Sequence, residues 1–257
     1  MSGTGTGTAA AAGTTTPGLL VVTGPPGSGK STVCEALVDR WEPSVLVEGD
    51  AFFRFLRRGM IPPWLPESHA QNDTTTRAAA AAAGGFAAGG MVVVYDGVIG
   101  PWFLPTFARF AGVAALDYVV LLPPVEVCLR RVETRTGHGF TDLAAARHMH
   151  DDFVRATTPG TGDAGRGGAR PGGAVSDTAS TESATTDGAG GDGADGDSPT
   201  APPGAVLTDL PDDVAGVADA IVAAMVAGRS RYAVDYAVDD TADDDTADED
   251  TADTDDA

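Results

Sequence analysis

The chain has one lysine, Lys30, and it stands inside a pattern that gives a lysine specific work. Gly24, Pro25, Pro26, Gly27, Ser28, Gly29, Lys30 and Ser31 fit G-x-x-x-x-G-K-[ST], the phosphate-binding loop. The three glycines let the backbone curl around an anion without Cβ clashes. Lys30 can reach β- and γ-phosphates, and the Ser31 hydroxyl can ligate Mg²⁺. The pattern implies a nucleoside triphosphate, with ATP and Mg²⁺ as the expected ligands. An N-K-x-D run for guanine selection cannot occur in a chain whose lysine is already used.

Two carboxylates and a set of arginines extend the chemistry beyond binding. Asp50 and Asp96 each close an apolar run, and in open α/β sheets ligands bind beyond the carboxyl ends of the strands. A carboxylate there can take the proton of an attacking hydroxyl or help hold Mg²⁺. Asp50 could instead cap a helix over Phe53 and Arg54, and Asp96 could simply form a turn. Arg130, Arg131 and Arg135 precede a loop containing Gly137 and Gly139. They could neutralise a transferred phosphoryl group from a closing lid, or form a solvated helix face paired with Glu126 and Glu133. Phe52, Phe53, Phe55, Trp64 and Trp102 could line an acceptor pocket, with Arg54, Arg57 and Arg58 hinting at an anionic acceptor. His148 and His150 lack the spacing of a metal pair.

The elements that must position these residues can be read from the apolar pattern. Leu19, Leu20, Val21 and Val22 form a buried-type strand directly before the glycine loop. Val33, Leu37 and Trp41 recur every fourth residue after it, as on the buried face of a helix. The loop thus ends at a helix N-terminus, where free N–H groups and the helix dipole favour phosphate. Further strands are expected at 45–50, 91–97 and 116–122. Helices are expected at 51–59, 69–88, 102–110, 125–132 and 142–155. A last strand at 205–208 leads into a capped amphipathic helix from Asp212 through Met225. Strands alternating with helices imply a mostly parallel sheet covered on both faces.

The rest of the chain reads as segments that cannot pack. Residues 1–17 are an expected disordered leader, without the basic start or apolar core of a secretory signal. Residues 158–204 hold hardly an apolar side chain and read as a disordered insertion within one domain. From residue 229 the repeats read as a disordered acidic tail, 229–257. The single domain is therefore expected over 18–157 and 205–228. Net charge is −21, yet residues 1–156 carry 14 acidic against 12 basic side chains and the remainder 23 against 4. Such acidity argues against nucleic-acid affinity. Heavy Asp use with scarce Lys resembles proteins of extreme halophiles, although a GC-rich genome would produce a similar bias. No membrane span is present, and Cys34 and Cys128 are expected to be buried and reduced. The expected compartment is the cytoplasm.

Residues 19–156 and 205–227 resemble the small P-loop kinases. That group includes shikimate, gluconate and adenylate kinases, chloramphenicol phosphotransferase, the kinase half of polynucleotide kinase and zeta-type toxins, often catalogued as AAA-family ATPase-like. The resemblance implies a P-loop NTPase three-layer α/β sandwich, a five-stranded parallel sheet ordered 2-3-1-4-5, and a lid. By position, Gly24, Pro25, Pro26, Gly27, Ser28, Gly29, Lys30, Ser31 and Thr32 would hold phosphates and Mg²⁺. Asp50 would activate the acceptor hydroxyl, Arg131 and Arg135 would be lid arginines, and Arg54 an acceptor-side arginine. The Asp96-Gly97 ending lacks the consecutive acids of a Walker B run, and no AAA+ second arginine or sensor domain is present. The expected function is transfer of the γ-phosphoryl group of ATP to a hydroxyl of a small molecule. The alternative is a nucleotide-binding ATPase or regulator without an acceptor.

Overall fold

Leu19 and Val21 lie in one apolar cluster of the protein, and Leu20 and Val22 in another. Alternate side chains of a strand face opposite ways, so a strand buried on both faces must be apolar throughout. This is the pattern of the central strand β1 (Leu19–Thr23) in the computed structural model, which describes residues 18–135, 140–158 and 203–234. Around β1 the sheet is ordered β2 (Ser44–Glu48), β3 (Val92–Asp96), β1, β4 (Ala115–Leu121), β5 (Ala205–Leu207), all parallel. That is the expected P-loop NTPase order.

Helices cover both faces. Helix α1 (Lys30–Val38) and helix α7 (Val214–Val226) bury Val33, Cys34, Leu37, Val217, Ile221 and Met225 against one face. Helix α3 (His69–Ala88) and helix α4 (Leu104–Ala111) bury Ala79, Ala80, Ala83, Leu104 and Phe107 against the other. Helix α2 (Gly49–Arg54) starts two residues before its expected position and ends at Phe55, well short of Gly59. Helix α5 (Val125–Thr134) follows β4 and packs on helix α6 (Leu143–Thr157). The caps are local and legible: Asp142 accepts from the amide of Ala145 at 2.9 Å and Asp213 from that of Gly216 at 2.7 Å. Among the described residues no helix is long and apolar enough to cross a membrane.

One strand departs from expectation. β6 (Arg231–Ala233) lies at the start of the stretch read as a disordered tail, and it pairs antiparallel with β4. β4 is seven residues long. β5 takes its last three positions and β6 its first three. The attraction is chemical as well as geometric. Asp117 on β4 is only 4% exposed, and a buried carboxylate must find donors. The Ser230 hydroxyl donates to its Oδ1 at 2.7 Å, and Arg231 stands 3.6 Å from Oδ2. Tyr232 and Val234 pack against the core beneath. The tail reading therefore applies no earlier than residue 235. The leader 1–17, most of the insertion 158–204 and the tail 235–257 lie outside the described residues.

The strand makes a measurable prediction. Truncation after Val234 is expected to leave stability unchanged. Truncation after Gly228 strips Asp117 of both partners and should cost about 3 kcal/mol. Urea denaturation of the two truncated chains checks it, and equal midpoints would refute the role given to β6.

Candidate functional site

The glycine loop leaves β1 and enters α1 with Gly24, Gly27 and Gly29 at φ of 148°, 82° and 98°. Gly27 is required twice over, by its positive φ and because a Cβ there would collide with the Cys128 carbonyl of α5. Four of the loop's carbonyls accept hydrogen bonds from within the protein. The Pro25 carbonyl accepts from Ser28 at 3.1 Å, and the Gly29 carbonyl from Val33 at 3.3 Å. Those of Gly27 and Ser28 accept from Arg131 Nη1 at 3.3 and 3.1 Å. The donors are left over. The amides of Gly27, Gly29, Lys30, Ser31 and Thr32 have no acceptor among the described residues. Five free N–H groups at the positive end of a helix form an anion cradle.

Two recesses open from this loop. One, of about 300 Å³, is lined by Lys30, Ser31 and Thr32 on one side and by Arg131, Thr134 and Arg135 on the other. The second, of about 260 Å³, runs from Ser28 and Thr32 to the turn of Leu210, Pro211 and Asp212 before α7. Arg131 lines both. The second recess was not foreseen from sequence; Pro211 beside the Asp213 cap is the local signal that marks its wall.

Strand register brings the acids to the same end of the sheet. Val22 of β1 pairs with Asp96 of β3, and Asp96 with Glu48 of β2. Asp96 is 9% exposed and its Oδ1 has no partner among the described residues. Burial pushes its carboxyl up from the ordinary range. The Lys30 ammonium and the Ser31 hydroxyl draw it back down, while Asp50 and Glu48 push it further up. An orphaned buried carboxylate oxygen beside a serine hydroxyl supplies oxygen donors of the kind a divalent cation takes. Asp50 lies in the first turn of α2, whose N-cap is Glu48, so the alternative reading of Asp50 as a cap does not hold. Asp50 is exposed, with no hydrogen-bond or ion-pair partner among the described residues. It acts electrostatically on Arg135. Burial lowers the pKa of that guanidinium, the Asp50 carboxylate raises it again, and Arg135 Nε is buried without a partner among the described residues.

Other candidates are dispersed. Arg54 is ion-paired with Glu48 at 3.3 Å on the exposed surface, a residue that sequence reasoning passed over. Trp64 packs edge-on against Phe140, Phe52 against Phe55, and Trp102 against Phe153 of α6, so the aromatics do not converge on one pocket. Residues 136–139 of the expected lid lie outside the described residues. His150 is buried with Nε2 at 2.9 Å from the Pro123 carbonyl, and His148 stands 3.6 Å from Asp152. The described residues contain no cluster of three or more metal-ligating side chains. Both cysteines are free and buried; burial pushes the Cys34 thiol up and the Cys128 thiol up to about 11, so neither is a thiolate at neutral pH.

Asp96 carries a pH prediction. Its folded pKa is raised above the unfolded value, so its contribution favours the fold below the unfolded value and is lost as pH rises through the folded one. Asp96→Asn is expected to melt higher than the wild type at about pH 7.5, with the gain shrinking as pH falls toward about 4. Melting curves across that window in Mg²⁺-free buffer check it; a lower melting temperature throughout would contradict it.

Among solved structures, the chain is similar to a gluconokinase from Sinorhizobium meliloti 1021, with 20% identity, 83% of this chain and 94% of that one covered, and a TM-score of 0.45. It is also similar to the tunicamycin resistance protein of Deinococcus radiodurans, with 18% identity, 54% and 80% covered, and a TM-score of 0.42. A third is the shikimate kinase of Acinetobacter baumannii in complex with shikimate, with 20% identity, 54% and 76% covered, and a TM-score of 0.36. No curated protein sequence matches the chain. The family model of an AAA domain matches residues 19–159, more than half of the chain. That span runs from the strand before the glycine loop to the end of α6. With its sheet order and its loop, the chain belongs to the AAA domain family and has the P-loop NTPase fold.

Proposed function

We propose that the chain is an ATP-dependent phosphotransferase acting on a hydroxyl of a small molecule. The observation that carries the reading is Asp50: an exposed carboxylate without a partner among the described residues, at the same sheet end as the cradle of free amides. A plain nucleotide binder has no need of an unpaired carboxylate there. The amides of Gly27, Gly29, Lys30, Ser31 and Thr32, with the Lys30 ammonium, bind the polyphosphate. The recess beside Leu210 and Pro211 takes the base end of the nucleotide. Ser31 and Asp96 would hold Mg²⁺, which supplies positive charge to the phosphate oxygens when bound. Asp50 takes the proton of the acceptor hydroxyl as the new O–P bond forms and the bond to the β-phosphate oxygen breaks, leaving ADP. Arg135, which lines the recess beside Lys30 and feels the charge of Asp50, balances charge on the transferred group. Arg54 orients the acceptor only if it leaves Glu48, an exposed ion pair of small strength.

The test is an ADP-release screen over small hydroxyl compounds with Mg²⁺, at low and high KCl. An acceptor that raises ADP release and gains phosphate supports the proposal. If ATP is hydrolysed at one basal rate with every compound, the protein is an ATPase or regulator instead.

A further inference from the structure

Helix α5 meets the glycine loop at two successive turns of the same helix face. At the first, the Cys128 carbonyl lies so close to Gly27 that no Cβ fits between them. At the second, Arg131 Nη1 reaches both the Gly27 and Ser28 carbonyls, at 3.3 and 3.1 Å. The same nitrogen would stand 3.3 Å from a Cβ on Gly29. One guanidinium thus holds two of the three residues just before α1 and closes off the space beside the third, and it also forms part of the wall of both recesses.

The consequence follows from peptide geometry. In a planar trans peptide, the carbonyl of one residue and the amide of the next point in opposite directions. Holding the Gly27 and Ser28 carbonyls toward α5 therefore turns the Ser28 and Gly29 amides away from it. The Ser28 amide closes a turn on Pro25, and the Gly29 amide has no acceptor among the described residues. Gly27 and Gly29 both sit at positive φ, where a glycine peptide rotates easily. The turn onto Pro25 also restrains the Gly27–Ser28 peptide, whereas the Ser28–Gly29 peptide is held on its carbonyl side by Arg131. A flipped peptide would present a carbonyl to the anion in place of a donor.

The geometry points to Arg131 as a positioning residue that holds the loop in its anion-ready form before any ligand arrives. This assigns it a role on the empty loop, distinct from that of a lid arginine acting on a bound phosphoryl group. It rests on the phosphate-binding reading above.

The experiment compares the wild type with Arg131→Ala and Arg131→Lys, full-length. Amide hydrogen exchange is followed over the loop without ligand, and inorganic tripolyphosphate and ATP are titrated separately. In Arg131→Ala, exchange over residues 24–31 is expected to rise while the melting temperature holds. Tripolyphosphate and ATP should then weaken by the same factor, about tenfold for the loss of two charge-assisted bonds. Arg131→Lys keeps the charge but not the planar fork, and its loop exchange should fall between the two. It also serves as the readout if the alanine variant folds poorly. Loop exchange equal to wild type in both folded variants overturns the assignment. So does a loss of ATP affinity with tripolyphosphate unchanged, since that marks a contact with the base end alone. Failure of the phosphate-binding reading would look different: the wild type itself would bind neither ligand.

Discussion

Lys30→Ala is expected to lower phosphoryl transfer by at least about 10²-fold while leaving the fold intact. Loss of one preorganised donor to developing charge in a shielded site typically has that size. The stability change should stay within about 0.5 kcal/mol, because Lys30 is only half-buried and has no ion-pair partner among the described residues. No second lysine exists in the chain to substitute for it. The variant has a second effect that can be read independently of turnover. Lys30 draws the proton affinity of Asp96 down, so its removal should shift Asp96 titration upward. Kinetics, melting and pH titration on one preparation check these points. Wild-type transfer in a folded variant would reject the site.

Asp50→Asn is expected to reduce transfer by about 10²–10⁴-fold, the usual contribution of general-base catalysis. Asparagine keeps the shape and the hydrogen-bonding reach but cannot accept the proton. ATP affinity should change little, since the loop amides and Lys30 are untouched. Asp50 makes no cap, so its remaining structural role is a first-turn acid at the positive end of α2. Loss of that role is worth about 0.3–1 kcal/mol of stability and nothing in kcat. The two readings thus separate on a split between kcat and KM. One compensation must be watched: Arg135 loses the carboxylate that supports its charge. Arginine stays protonated regardless, so the rate loss can be assigned to the missing base. Undiminished acceptor phosphorylation at saturating ATP would withdraw Asp50 from the mechanism.

What the sequence by itself determined is what depends on neighbours in the chain. Consecutive apolar residues at 19–22 and 92–95 imply strands buried on both faces, and they are so buried. A glycine run before a helical period implies a phosphate-type loop, and its geometry follows from three glycines at positive φ. Asp142 and Asp213 cap the helices they precede because a cap reaches only three residues ahead. The strand order came from family resemblance, since periodicity says which segments are strands and not which of them touch.

The tertiary structure alone decided where long side chains meet distant partners. Arg131 ends on the carbonyls of Gly27 and Ser28, more than 100 residues away in sequence. Trp64 and Trp102 part company, one to Phe140 and the other to Phe153. Arg54 turns back to Glu48. β6 is the clearest case. Local composition marks its segment as the start of a charged tail, with Tyr232 and Val234 too few to announce a strand. It is ordered because β5 leaves the first part of β4 uncovered, three residues of which β6 pairs, and because Asp117 is buried there and needs a donor. Neither fact exists until the sheet has formed, so no local pattern around Arg231 could carry it.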